Sequence, residues 1–269
     1  MKKYETRLIA FIDILGFSDL IKNPKITTGI SETSNPLENL VSALQILHSE
    51  ARLEPELQDA ETKLDYENSP EKDRQVSIFS DSVIISYKVS LLNECLEELL
   101  DKLITTQLRL FEHGVLLRGG ITIGELIHKN EFCFGPGMIK AYEIENKKAI
   151  YPRILIDQAI FNHDNFKNTN LLKMLIAKSS DNFKYLNTFN FFKEYHLRYE
   201  SLLSNLPILK IINISVTIEK NLDTKDKKVR EKYLWLAKEF NGFLDGIKKK
   251  FEIPDNHIDC PNNYKIKYN

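Results

Sequence analysis

The chain has 269 residues, 42% of them hydrophobic, with 37 Lys and Arg against 38 Asp and Glu and a formal net charge of -1. That apolar content supplies a core, and the charge balance excludes a protein built mainly to coat nucleic acid, which needs a basic excess. Cys95, Cys133 and Cys260 lie far apart without CxxC spacing, so a disulfide framework or zinc ribbon is not expected, and a reducing, cytoplasmic compartment is. No signal-like run follows Met1-Lys2-Lys3, and no apolar stretch is long enough to span a membrane.

Arg7 to Leu15 reads RLIAFIDIL, an apolar, β-branched run stopped by Gly16. Such a run predicts a strand buried on both faces, and Asp13 inside it needs compensation for its desolvation. Leu37, Leu40, Val41, Leu44 and Leu47 form a helical stripe over Asn35 to Ala51. Arg52 to Arg74 is polar and aperiodic, and is expected at the surface. VSIFSDSVIISYKV predicts two short strands joined at Ser80-Asp81-Ser82, and Leu91 to Phe111 a helix ended by His113-Gly114.

Val115 to Gly124 reads as a further strand, with Glu125 to Phe134 as its hairpin partner. Met138 to Asn146 suggests a helix, and Ile154 to Ile156 a strand. Leu171 to Ala177 and Phe183 to Phe189 add short elements. Asn190 to Leu203 and Val229 to Lys249 read as helical, while Ile208 to Glu219 is β-branched enough to be helix or strand. The order predicts an α+β fold, an antiparallel-rich sheet with helices on one face. The expected division is a catalytic domain over residues 1–165 and a mainly helical C-terminal extension over residues 166–269.

Two segments carry the strongest chemical signal. Asp13 ends a buried strand, and Gly16 lets the chain turn so that the following amides approach a phosphate. Asp81 sits at the tip of the strand pair. If the two strands are neighbours, two carboxylates meet at one end of the sheet, where a divalent cation between them would relieve their repulsion. Oxygen donors favour magnesium or manganese. The alternative makes Asp13 a strand-end cap and Asp81 a hairpin-turn residue. His48, His113, His128 and His163 lack metal-ligand spacing and are expected in surface or turn roles. Phe17 and Tyr142 are candidates either for stacking on a base or for the core.

FIDILGFSDL resembles the first metal-binding segment of the class III nucleotide cyclases, F-x-D-I-x-G-F-T. VSIFSDSVIIS resembles their second segment, with Ser80 where a glycine is usual. RGGITIGE from Arg118 to Glu125 and FGPGMIKAYEIE from Phe134 to Glu145 resemble the strand and glycine-led helix that follow. The resemblance implies a ferredoxin-like palm acting as a homodimer with composite active sites. It implies metal binding by Asp13 and Asp81, with help from the Ile14 carbonyl, and two divalent cations, Mn2+ or Mg2+. The amides of Leu15, Gly16 and Phe17 would hold the triphosphate.

The chain departs from the purine cyclases. Their helix asparagine and arginine fall at Ile139 and Glu143, and their adenine-reading lysine falls near Ser77. The set FIDILGF, FSDS, RGGIT, FGPG, AYEIE and YPRI is instead similar to the bacterial pyrimidine cyclases of the Pycsar anti-phage systems, as is KYLWLAKEFN from Lys232 to Asn241. That resemblance implies cyclisation of UTP, or of CTP, to a cyclic monophosphate that acts on a separate effector. Arg118 and Arg153 are the candidates for stabilising charge on the transferring phosphoryl group. The rival expectation is an inactive cyclase-like domain that senses a nucleotide or binds a partner. A diguanylate cyclase is disfavoured because Ser80-Asp81-Ser82 stands where its Gly-Gly-Asp/Glu-Glu-Phe hairpin would be.

Overall fold

The computed structural model describes residues 3–22, 36–52, 69–129, 132–196, 205–252, 255 and 261–268. Cys260, most of the polar stretch from Arg52 to Arg74 and the segment 197–204 lie outside these. The chain divides into two compact units, the first made of residues 1–15, 44–106 and 117–186 and the second of residues 16–43, 107–116 and 187–269. The first unit continues past residue 165, where two short strands, Ile176–Lys178 and Lys184–Leu186, extend its sheet.

The first unit is a mixed α+β structure on a mostly antiparallel sheet. Its strands are β1 (Glu5–Ile14), β2 (Gln75–Phe79), β3 (Ser82–Lys88), β4 (Leu117–Lys129), β5 (Phe132–Phe134), β6 (Ile154–Ile156), β7 (Ile176–Lys178) and β8 (Lys184–Leu186). The sheet order is β2-β3-β1-β4-β6-β8-β7, with β5 paired to β4, and among the described residues only β4 and β6 run parallel. The helices are α1 (Phe17–Lys22), α2 (Pro36–Arg52), α3 (Leu92–Phe111), α4 (Pro136–Glu143), α5 (Gln158–Phe161), α6 (Asn170–Leu175), α7 (Thr188–Phe191), α8 (Asn205–Leu222) and α9 (Lys227–Lys250). From β1 to β4 the order is strand, helices, hairpin, helix, strand. With the β2-β3-β1-β4 arrangement this is the ferredoxin-like pattern.

β1 is buried on both faces, from Arg7 to Ile12. Successive residues of a strand point to opposite sides. Ile12, with Val83 and Ile85 of β3, lies against Leu47 and Ala51 of α2 and Leu103 of α3. Ile9, Phe11 and Ile84 form the other layer with Leu126 and Ala141 of α4. The helices expected on one face are therefore joined by α4 on the opposite one.

β4 runs unbroken through Gly124, where a strand end and hairpin partner were expected. Gly124 is not a turn. A Cβ there would stand 2.6 Å from the Cα of Gly137, so the two glycines let the start of α4 pack onto the strand. The strand that pairs back on it, β5, begins only at Phe132.

In the second unit, α8 resolves the ambiguity of Ile208 to Glu219 as helix. Its buried positions Ile211, Ile214, Ser215 and Ile218 have helical spacing, and this period overrides β-branching. Asp226 caps α9 by accepting from the Lys228 and Val229 amides. Phe189 stacks on Phe111 and Phe243 at 5.8 and 5.3 Å between centroids. Asn241 of α9 exchanges two hydrogen bonds, each 2.9 Å, with the backbone of Ile266.

Candidate active site

The end of β1 and the turn between β2 and β3 come together at one end of the sheet. Asp13 is the register partner of Ser82 on β3 and of Arg118 on β4. The Ser82 hydroxyl donates to Asp13 Oδ1 at 2.8 Å, and Arg118 Nη2 donates to Oδ2 at 3.2 Å. The Ile14 amide donates to the carbonyl of Asp81 at 3.3 Å, which ties the turn to the strand. Asp13 and the turn that carries Asp81 are therefore neighbours, joined through Ser82 and Ile14.

Burial raises the Asp81 carboxyl above its ordinary value, and the charge of Asp13 raises it further. Two like charges held this close favour either a proton or a cation between them. The turn is shaped for the approach. Ser80 has a positive φ of 54°, the conformation glycine usually supplies, and its carbonyl accepts from His48 Nε2 at 2.9 Å. A carbonyl cannot donate, so His48 carries its proton on Nε2. The histidine expected in a surface or turn role thus supports the turn that carries Asp81.

Glu145 is the residue the sequence reading missed. α4 gives way to a single π-turn over Ile144–Lys148, and Glu145 within it is 2% exposed. Its Oε1 stands 2.5 Å from Arg118 Nε. Neither atom has a well-aligned hydrogen-bond partner among the described residues, so the contact is ionic. Burial pushes the Glu145 carboxyl up to about 7 against the pull of Arg118, and the charges of Asp13 and Asp81 add to the rise. An acid repeating two residues after Glu143 was a signal. Only the π-turn shows which of the two faces inward.

The other expected residues lie as follows. Ile14 is buried, Leu15 and Phe17 are half-buried, and Gly16 is exposed with φ of 77°. A Cβ on Gly16 would meet no protein atom within 4 Å, so within the protein it is the left-handed conformation of the turn, and not packing, that calls for glycine. Arg153 is 4% exposed. Its guanidinium is bidentate to Asp181, bonds Ser179 Oγ at 2.8 Å, and lies over the rings of Tyr151, Phe183 and Tyr185.

Ser77, where a base-reading lysine would fall, is buried and engaged by His128 Nε2 at 3.0 Å. Ile139 is exposed, and Glu143 pairs with Lys147 at 2.6 Å. Tyr142 packs edge-on against Phe11 at 5.4 Å while remaining 45% exposed.

The donor set suits a hard divalent cation. Among the described residues Oδ1 of Asp13 accepts from Ser82 and Oδ2 from Arg118, and a carboxylate oxygen has a second lone pair for a cation. Among the described residues no group of three or more His, Cys, Asp or Glu is arranged as a metal cage. Magnesium and manganese sites of this chemistry use one or two carboxylates, completed by water and substrate phosphates.

No protein-family model matches the chain, and no curated protein matches it in sequence. Among solved structures, a bacterial light-regulated adenylyl cyclase is similar over 70% of this chain and 92% of its own, at 13% identity and a TM-score of 0.43. The catalytic core of a rhodopsin-guanylyl cyclase with converted specificity, in complex with ATPalphaS, is similar over 68% of this chain and 95% of its own. Its identity is 13% and its TM-score 0.34. Both likenesses are too distant to carry the chemistry, which rests on the site's own residues.

Proposed function

We propose that this chain is a nucleotide cyclase that converts a pyrimidine ribonucleoside triphosphate, UTP before CTP, to a 3′,5′-cyclic monophosphate and pyrophosphate. The observation that carries the proposal is the placement of Asp13, at the end of β1, beside the β2–β3 turn that carries Asp81, whose backbone carbonyl accepts from the Ile14 amide. The pyrimidine preference comes from the sequence resemblance to the Pycsar cyclases. So does a role in anti-phage signalling through a separate effector. The buried Ser77 and exposed Ile139 are compatible with loss of purine recognition.

Asp13 and Asp81 would hold two divalent cations, with the Ile14 carbonyl assisting. Bound there, the cations would lower the pKa of the ribose 3′-hydroxyl and neutralise the triphosphate and the departing pyrophosphate. Ser82 and Arg118 fix the rotamer of Asp13, and Ser80 and His48 hold the turn of Asp81. The amides of Leu15, Gly16 and Phe17 would receive the phosphates. The 3′-oxygen attacks the α-phosphorus as its proton departs, and the bond to the β-phosphate oxygen breaks.

A homodimer with composite sites is part of this proposal. Tyr4, Phe132, Phe134, Ile139 and Tyr142 are 45–70% exposed and lie before β1, on β5 and on α4, an apolar concentration suited to a second copy. No helix among the described residues is long and apolar enough to cross a membrane.

One observation favours the rival reading, a catalytically inactive domain that senses a nucleotide or binds a partner. Arg118 is already engaged by Asp13 and Glu145, and Arg153 by Asp181. Incubating the protein with Mn2+ and each of the four ribonucleoside triphosphates separates the two. The expected outcome is one cyclic pyrimidine monophosphate with equimolar pyrophosphate. No product from any nucleotide, with Mn2+ still bound, establishes the sensor.

A further inference from the structure

Arg118 is shared between two acids, Asp13 at 3.2 Å through Nη2 and Glu145 at 2.5 Å through Nε. The sharing is built into the sheet. Asp13, Phe11 and Ile9 project to the α4 side of β1, and Arg118 and Gly120 project to that same side of β4. A Cβ on Gly120 would stand 2.5 Å from the carbonyl oxygen of Ala141 and 2.7 Å from Cβ of Ile144. The glycine therefore lets the π-turn settle on β4, one pleat from Arg118, and this puts Glu145 against the guanidinium.

Arg118 presents a rigid fork that can take one carboxylate in a two-bond embrace. Without Glu145 the fork would be free to turn onto Asp13 and take both its oxygens. That carboxylate would then be neutralised and blocked as a ligand. We infer that Glu145 is a positioning residue, which acts through Arg118 to keep Asp13 available to a divalent cation. The inference rests on the two-cation reading of Asp13 and Asp81 given above. Glu145 need touch neither the cation nor the substrate.

The test is a double-mutant cycle read by Mn2+ affinity of the whole chain, without nucleotide, by calorimetry or electron paramagnetic resonance. Glu145→Gln should weaken Mn2+ binding about tenfold, or about 1.4 kcal/mol, in the natural background. In the Arg118→Gln background the same substitution should change affinity less than about twofold. Asp13→Asn supplies a second background that does not depend on an Arg118 variant folding. There the remaining affinity at Asp81 should be indifferent to Glu145→Gln. An equal loss in every background would mean that Glu145 acts by its own field and would overturn the inference, as would unchanged affinity in folded Glu145→Gln. A natural protein that binds no Mn2+ would remove the two-cation reading and this inference together. Binding with additive losses would remove the inference alone.

Discussion

Asp13 on β1 and Arg118 on β4 stand opposite one another in the antiparallel ladder, and the guanidinium reaches the carboxylate at 3.2 Å. The register that makes them partners is set by the apolar residues around them. A slip of one residue would send Ile9 and Phe11 to the wrong face. The same packing that builds the core therefore aims the acid and its cation at each other.

Removing Asp81 should separate chemistry from folding. Its carboxyl is destabilised by burial and by Asp13, so Asp81→Asn should leave the thermal midpoint unchanged or slightly raised. Turnover should fall by about a thousandfold or more, since the site loses half of its paired charge. A folded Asp81→Ala protein that still turns over nucleotide would end the two-cation model.

Arg118→Gln should destabilise the fold by about 3 kcal/mol, because it strips the buried Glu145 of its cation. The figure is at the lower end of the range for a broken buried pair, as the Arg118 side chain is 24% exposed. Adding Glu145→Gln should return part of the loss. Urea midpoints of the single and double variants check both statements, and a purely additive double variant would contradict them.

His128 should make the fold sensitive to mild acid. It lies between the hydroxyls of Ser77 and Ser86, at 3.0 and 2.8 Å. Burial lowers its pKa to about 4, with the Arg7 charge adding to the shift. The unfolded chain takes up this proton near pH 6.5 and the folded chain only well below it. The contribution of the neutral ring is therefore complete above about pH 7 and is lost as pH falls toward 4, up to about 3 kcal/mol. Unfolding free energies at pH 7.5 and 4.5 should show this slope in the natural protein and less of it in His128→Gln.

Arg153 should behave as a structural residue of the first unit. Its hydrogen bond holds the Asp181 carboxyl down at about 2, partly offset by desolvation. That contribution is present above the ordinary carboxylate range and fades as pH falls toward 2. Asp181→Asn should lower the thermal midpoint at neutral pH and leave Mn2+ affinity within about twofold. A selective loss of turnover in a fully stable Arg153→Lys variant would return Arg153 to the list of groups acting on the phosphoryl.

Several elements were legible because their physics is local. The run from Arg7 to Leu15 is too apolar to be anything but a buried segment, and Asp13 stands out within it. Ser80-Asp81-Ser82 between two β-branched runs can hardly be other than a turn. β4 was less legible. Gly124 reads as a strand end until Gly137 is seen against it, and that partner is chosen by the packing of α4.

What the sequence by itself determined is the pair of acids at strand ends and the strand–helix order that makes a ferredoxin-like sheet. Both follow from hydrophobic period and from the cost of burying a charge. Only the tertiary structure decided which cations serve which acids. Arg153 went to Asp181 in the turn before β8, while Arg118 was divided between Asp13 and Glu145. Such pairings depend on which faces of distant elements meet when apolar layers close. A guanidinium reaches whichever carboxylate that closure brings within about 3 Å.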